Sequence, residues 1–161
     1  MKTLNTRLIA VPAIALMLAA CGGEANDAPE AEAPAEIAER QDNFDAIKDS
    51  FMVIRANFEE DAETDLAAVQ AAAQDINDRA GQIAGHFPEG SGMDDGWDSE
   101  ALAAIWEKPE EFTAAHEKLV AESATLATLA GEGDVAAVAE QVGALGGSCK
   151  NCHDSFRVPQ D

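Results

Sequence analysis

The residues with the clearest chemical potential lie near the C-terminus, where the sequence reads Cys149-Lys150-Asn151-Cys152-His153. Two thiols at positions i and i+3 share one face of a helix and lie about one turn apart. At that spacing both sulfurs can bond to the two vinyl groups of a single porphyrin, and the adjacent histidine can coordinate its iron. The pattern therefore predicts one covalently attached haem c per chain, with His153 as the axial iron ligand.

Two other uses of a C-x-x-C pair are less consistent with this sequence. A redox-active dithiol of the thioredoxin type sits in a βαβ unit, whereas this chain has helical periodicity throughout its folded part. A zinc site would need a second ligand pair at a suitable spacing. His86 and His116 do not supply one.

The N-terminus has the pattern of an export signal. Lys2 and Arg7 precede an apolar run over residues 8–20 that is too short to span a bilayer. The run ends in Leu18-Ala19-Ala20-Cys21-Gly22, which resembles the lipobox of bacterial lipoproteins. That resemblance implies cleavage before Cys21, acylation of Cys21 and a periplasmic protein anchored to a membrane. An ordinary secretory peptide, cleaved elsewhere, is the alternative interpretation.

Three segments follow from these patterns: a signal peptide at 1–20, a tether at 21–36 and a haem domain at 37–161. The tether is rich in Gly, Ala, Pro and acidic residues without apolar periodicity, which predicts a flexible segment. One of the three cysteines lies at the predicted lipid site and two lie in the haem motif. No pair is left for a structural disulfide.

The chain is strongly acidic, with 31 Asp and Glu against 10 Lys and Arg and a formal net charge of −21. Phosphates would be repelled by this surface, which excludes a duplex nucleic-acid partner. The same charge can steer a basic redox partner protein. Solubility in a salty habitat explains the charge equally well.

Apolar residues recur at helical spacing from Ala35 onward, and no alternating strand pattern competes. Four helices are predicted, the second extending to Phe87 and the third starting at Pro109 after a short helical piece at 99–106. Asp134 is the predicted N-cap of the fourth. The sequence thus predicts an all-α, antiparallel four-helix bundle with the haem on its C-terminal helix. The first seam is Ile37, Phe44, Ile47, Phe51, Ile54 and Phe58, interrupted by Arg40, and the last is Val135, Val138, Val142, Leu145, Cys149, Cys152 and Phe156.

From about Ile37 to Arg157 the chain resembles cytochrome c′, the four-helix class of c-type cytochromes. The position of the haem motif on the last helix is typical of that class. One departure is Leu102-Ala103, where the family usually has a basic residue and a proline. The resemblance is carried by Arg40-Gln41-x-x-Phe44, Phe87-Pro88-x-Gly90-Ser91, Glu100-Ala101, Ile105-Trp106, Phe112, and Gly146-x-x-Cys149-Lys150-x-Cys152-His153-Asp154-x-Phe156-Arg157.

The resemblance implies further haem contacts. Arg40 and Gln41 would lie against the haem edge, where Arg40 can pair with a propionate. Glu100 would contact the haem periphery, although its charge is awkward beside propionates, and Arg157 would lie on the proximal side. Two alternatives stay open: Arg40 as a snorkelling side chain at a helix start, and Arg157 as a complement to the helix dipole.

The resemblance also implies that the residue four after that arginine decides the sixth coordination site. A Met there gives a six-coordinate, low-spin electron carrier, whereas a bulky non-ligating residue leaves the iron five-coordinate. Phe44 occupies the position, so we expect five-coordinate iron. A low-spin carrier with a distal Met is the alternative, although Met52 lies off the helical stripe and Met93 lies in a loop.

These features predict a periplasmic haem protein that transfers electrons, binds NO or CO, or does both. A crowded apolar pocket without a hydrogen-bond donor disfavours dioxygen. An enzyme such as a peroxidase is not expected, because no distal base stands near the iron. The resemblance also implies a possible homodimer through the first two helices. Acidic residues where those helices join could weaken it: Glu59, Glu60, Asp61 and Glu63.

Overall fold

The computed structural model describes residues 32–159, and the regular secondary structure within that range is helical apart from one isolated β-bridge. Two short 3-10 turns, Ile83–His86 and Met93–Asp95, lie in the long connection after the second helix. The four long helices confirm the predicted four-helix bundle. The helices are α1 Ala35–Ala56, α2 Leu66–Ala80, α3 Ala104–Glu107, α4 Pro109–Glu132 and α5 Val135–Phe156.

The predicted signal peptide, Cys21 and most of the predicted tether lie outside the described residues. No helix in the range 32–159 is both long enough and apolar enough to cross a membrane.

The helix ends follow local chemistry. The Asp65 carboxylate accepts hydrogen bonds from the first backbone N–H groups of α2, and Asp134 accepts one from Ala137 N at 3.0 Å, as predicted. Pro109 opens α4, and Gly133 ends it in the left-handed region at a φ of 84°. The chain therefore reverses direction at Gly133 and Asp134, between α4 and α5. This turn sets where α5, the helix with the C-x-x-C-H motif, begins.

The core lies between α1, α2, α4 and α5. Helix α2 packs on α1 and on α4, and α4 packs on α5, whereas the backbones of α1 and α5 hardly approach each other. We call this gap between α1 and α5 the open seam. The fully buried aliphatic side chains that fill the core are Ile54, Val69, Ile76, Leu126, Val138 and Leu145.

Four sequence predictions need correction. Helix α1 ends at Ala56, so Phe58 lies in the turn that follows it, although it still packs on the core. Helix α2 ends at Ala80 rather than Phe87, because Gly81 and Gly85 have poor helix propensity and His116 Nε2 bonds the Ala80 carbonyl at 2.7 Å. The short piece predicted at 99–106 is helical only over Ala104–Glu107, since Ala101 is held in extended pairing. Val135 is 45% exposed, because it is the first residue of α5, where the chain is still turning.

One end of the bundle is closed by the connection between α2 and α3 together with the chain after α5. Leu102 N donates to Phe156 O at 3.0 Å, Val158 N donates to Glu100 O at 2.9 Å, and Ala101 forms the β-bridge with Arg157. The end of α5 is thereby tied to the connecting loop. Both flank the region where the C-x-x-C-H motif lies.

Candidate haem-attachment site

The two thiols of the motif lie one turn apart on the inner side of α5. Both are free and half-buried. Cys149 packs against the main core, and Cys152 packs against a smaller cluster that contains Ile105 and Phe156. The prediction that both cysteines are in phase with the core is therefore confirmed. Burial raises the pKa of Cys149, and burial together with the neighbouring Cys149 raises the pKa of Cys152 to about 11, so both are neutral thiols at neutral pH.

His153 directly follows these thiols and is half-buried. Burial lowers its pKa, and the nearby Arg157 lowers it further, against smaller opposite effects of Asp154 and Glu100. The imidazole is thus neutral near pH 7, which is the form that can coordinate iron. The Arg157 guanidinium beside it has its Nε 3.9 Å from Glu100 Oε2, and that Nε is buried without a hydrogen bond.

Arg40 is the most buried charged residue near the site, with 4% of its surface exposed. Its guanidinium donates to Ser91 Oγ at 2.9 Å, Ser91 O at 2.6 Å and Ser99 Oγ at 2.5 Å, with a longer bond to His86 O at 3.4 Å. It also stands 5.1 Å from the centroid of the Phe87 ring. Its head group is therefore enclosed rather than snorkelling to solvent, and it fastens the loop to α1.

The hydrogen bonds of Arg40 leave its charge uncompensated. All four acceptors are neutral oxygens, and burial lowers the pKa of the guanidinium. A guanidinium has five N–H donors. The four on the two terminal nitrogens of Arg40 donate to the loop, so the Nε–H is left for another acceptor. Gln41 is exposed and donates to Asp98 O at 2.9 Å, so it fastens the same loop. An anionic group beside Arg40 would meet an unpaired buried cation.

Phe44 lies on the inner side of α1 and is half-buried. Its ring packs edge-on against Phe87 at a centroid distance of 6.4 Å. Phe87 packs in turn on Phe112 at 5.1 Å, and Phe112 packs on Phe156 at 5.3 Å. This row of rings joins α1 to the end of α5 and lines the inside of the bundle at the level of the site.

The register between α1 and α5 follows from one close contact. A Cβ atom at Gly146 would lie 3.4 Å from Cζ of Phe51, so the ring rests on the bare backbone of α5. The two helices run antiparallel, and each residue advances a helix by about 1.5 Å. Seven residues before Phe51 on α1 is Phe44, and seven residues after Gly146 on α5 is His153. Because the same distance is covered along each antiparallel helix, Phe44 on α1 and His153 on α5 lie at about the same level along the two helices.

The methionines in the described part of the chain are Met52 and Met93, which are 51% and 41% exposed. Both side chains are directed outward rather than into the open seam. His86 is half-buried, but its carbonyl already holds Arg40 and its Nδ1 is buried without a hydrogen bond. The geometry of the described residues gives no support to a distal Met ligand.

The residues around the open seam fit a haem group. Two thiols and a neutral imidazole line α5, the backbones of α1 and α5 leave a gap, and aromatic rings cover the facing side. The buried cation of Arg40 and the unbonded Nε of Arg157 are the kind of partners that propionates or haem-bound anions would satisfy. The haem-binding set that fits is Cys149, Cys152, His153, Arg40 and Phe44, with Gln41, Glu100 and Arg157 at its edges.

Sequence reasoning missed two parts of this arrangement. Ser99 completes the clamp on Arg40, yet a serine in a polar loop carries no signal of burial. The contact between Phe51 and Gly146 joins helices nearly a hundred residues apart. Only the absence of a side chain at Gly146 hinted at a close approach.

Comparison with known proteins places these features in context. A family model described as Cytochrome C′ matches residues 35–157. Cytochrome c′ from Halomonas halodenitrificans is 44% identical over 75 residues, 45% of this chain and 57% of that protein. The matches to the first relatives thus span about half of their length. Cytochrome c′ from Rhodopseudomonas palustris is 32% identical over 76% of this chain and 81% of that protein. The solved cytochrome c′ of Shewanella frigidimarina superposes with a TM-score of 0.73 at 28% identity, over 81% of this chain and all of that one.

Proposed function

The chain belongs to the cytochrome c′ family, whose members carry covalently bound haem c, and we propose that it binds NO or CO at a five-coordinate haem iron. In this proposal Cys149 and Cys152 would hold the porphyrin, and His153 would coordinate its iron. The haem supplies a redox-active iron with one open coordination position. The protein supplies the neutral imidazole, the enclosing bundle and the wall on the opposite face.

The observation that carries the proposal is the position of Phe44. It lies level with His153 across the open seam and has no atom that can coordinate iron. A phenyl ring there excludes water and offers no hydrogen bond to bound dioxygen. Small ligands that need no such bond, NO and CO, remain suitable.

Arg40 has two roles in this proposal. It holds the loop that closes the site end of the bundle, through Ser91 and Ser99. Its remaining Nε–H and its uncompensated charge would attract a propionate at the haem edge. Gln41 supports the same loop, while Glu100 and Arg157 lie beside the proximal imidazole.

The absorption spectrum of the reduced protein, recorded before and after NO is added, tests this function. Five-coordinate iron gives a broad high-spin spectrum that shifts when NO is added. A sharp low-spin α band without any added ligand would contradict the proposal. That result would favour an electron carrier with six-coordinate iron.

Electron transfer is the second candidate function, and the acidic surface favours it. A net charge of −21 attracts a basic redox partner protein. The same iron can serve both functions, because ligand binding and electron exchange use the haem face and the haem edge respectively. Neither function requires an enzymatic reaction on a bound substrate.

The cellular location belongs to the same proposal. We propose a periplasmic protein anchored through a lipidated Cys21. The mass of the protein purified from the membrane fraction tests the anchor. A mature N-terminus that begins at Cys21 with diacylglycerol attached would agree, and an unmodified N-terminus would refute it.

A homodimer through α1 and α2 is also part of the proposal. Met52 and Val53 are large apolar residues on the outer side of α1, and each is about half exposed. Sedimentation of the haem-loaded protein measures the oligomeric state. A Met52→Glu variant that leaves the mass of the particle unchanged would show that this surface is not the interface.

A further inference from the structure

We propose that Phe51, seated on Gly146, is a second wall residue that controls how fast a small gas reaches the iron. The inference rests on the proposed gas-binding function and assigns a role to a residue outside the attachment motif. Phe51 is half-buried in α1 and packs against the main core, as Phe44 and Cys149 also do.

Phe44 and Phe51 lie on one face of α1, two turns and about 10 Å apart along the helix. On α5, Gly146 stands one turn before Cys149, on the side away from His153. Cys149 and Cys152 therefore lie at levels between the two phenylalanine rings. Phe44 would then cover the position of the iron, and Phe51 would close the inner end of the open seam.

Gly146 is what allows Phe51 to reach across this gap. A Cβ atom at Gly146 would meet the ring at 3.4 Å, which is van der Waals contact. A methyl group there would touch the ring without displacing it and would restrict its motion. A Cβ atom added at the next residue, Gly147, would have no such neighbour within 4 Å. An alanine at position 147 would therefore touch neither Phe51 nor another helix.

The pair of glycines separates a gating role from a simple packing role. Both Gly→Ala changes raise the helix propensity of α5 in the same way. Only Gly146→Ala touches Phe51. A ring that merely fills the core would affect the stability of the fold, whereas a ring that gates the pocket also affects the rate of ligand entry.

The test is the rate constant for CO association with the reduced, haem-loaded protein, measured by stopped-flow mixing. Phe51→Leu should bind CO about tenfold faster, equivalent to about 1.4 kcal/mol of activation free energy. Gly146→Ala should bind it several-fold slower, and Gly147→Ala should match the unchanged protein. Phe58→Leu, in the turn just after α1 and packed on the same core, is the matched control for loss of a phenyl ring.

Thermal unfolding of each variant verifies that it is folded, and Phe51→Met replaces Phe51→Leu if the latter does not fold. Equal CO association rates in the Phe51, Gly146 and Gly147 variants would overturn the gating role. If the unchanged protein itself shows a sharp low-spin band, the proposed function fails first. The spectrum and the rates thus separate the two failures.

Discussion

At the scale of single residues, the two faces of the haem site are held by side chains of opposite character. His153 is a neutral imidazole on α5, and Phe44 is an apolar ring at the same level on α1. Arg40 is a buried cation that touches neutral oxygens. Phe44 and Arg40 can each be changed alone, so each makes a separate prediction.

Phe44→Met should convert the reduced protein to a six-coordinate, low-spin form. A thioether at this position faces His153 across the seam and can donate a lone pair to iron. The absorption spectrum should gain a sharp α band, and CO association should slow sharply. Phe58→Met, placed beyond the level of the site, should leave the spectrum unchanged. A high-spin spectrum in Phe44→Met would contradict the register derived from Phe51 and Gly146.

Arg40→Leu should destabilise the protein by about 2–4 kcal/mol, because it removes several hydrogen bonds and strands buried acceptors on Ser91 and Ser99. Denaturant unfolding of the haem-loaded protein measures the loss. Gln41→Ala removes one exposed bond to the same loop and should cost about 1 kcal/mol or less. Equal losses in the two variants would show that the clamp by Arg40 contributes little.

At the scale of helices, α1 and α2 are joined by a polar contact as well as by the core. The Asp75 carboxylate accepts a hydrogen bond from Ser50 Oγ at 2.7 Å and pairs with Arg79 on its own helix. The hydrogen bond from the Ser50 hydroxyl holds the pKa of Asp75 below its usual value. Burial opposes this effect, and the hydrogen bond and charge of Arg79 add to the lowering. This contact links the outer sides of the two helices.

Asp75 should make the stability of the bundle depend on pH in the acidic range. Because its folded-state pKa is depressed, it contributes stability that is fully present above the unfolded pKa of about 4. That contribution is lost as the pH falls through the folded-state value. Asp75→Asn should therefore reduce the loss of unfolding free energy between pH 6 and pH 3. Asp49→Asn, an exposed carboxylate beside Ser50, is the control and should change this difference less.

The helices themselves were largely predictable from sequence, for reasons visible in particular residues. Ile54, Val138 and Leu145 repeat at helical spacing and are buried as expected, and Asp134 caps α5 as a short acidic side chain should. The predicted end of α2 was wrong, because the contact that ends the helix at Ala80 comes from His116 on another helix. The predicted apolar stripe of α5 was also wrong at Val135, because this residue stands at the start of the helix, where the chain has not yet entered the core.

The candidate site divides in the same way. Cys149, Cys152 and His153 follow from spacing alone, because the chemistry is local to one helical turn. The clamp from Arg40 to Ser91 and Ser99 crosses more than 50 residues of sequence, so no local pattern reveals it. The register that places Phe44 opposite His153 depends on the packing of two helices, which spacing within each helix cannot supply.

At the scale of the whole molecule, the net charge should determine how fast charged redox partners approach the protein. We expect electron exchange with a small cationic metal complex to be faster at low ionic strength than at high ionic strength, because salt screens the attraction to a chain of charge −21. An anionic complex should show the opposite trend. Stopped-flow oxidation of the reduced protein at two salt concentrations measures both. Rates that are independent of salt for both complexes would show that the haem edge lies in a locally neutral surface.

The open seam between the first and last long helices has a consequence for folding. Helix pairs α1–α2 and α4–α5 are neighbours in the chain and can form early, whereas α1 and α5 meet only after about a hundred residues of chain have been ordered. Such long-range closure is entropically costly and slow. A porphyrin tethered to α5 and packed on Phe44 would supply the missing contact between them. The prosthetic group would then join the two helical hairpins in addition to the packing of α2 on α4, and its loss should weaken that junction.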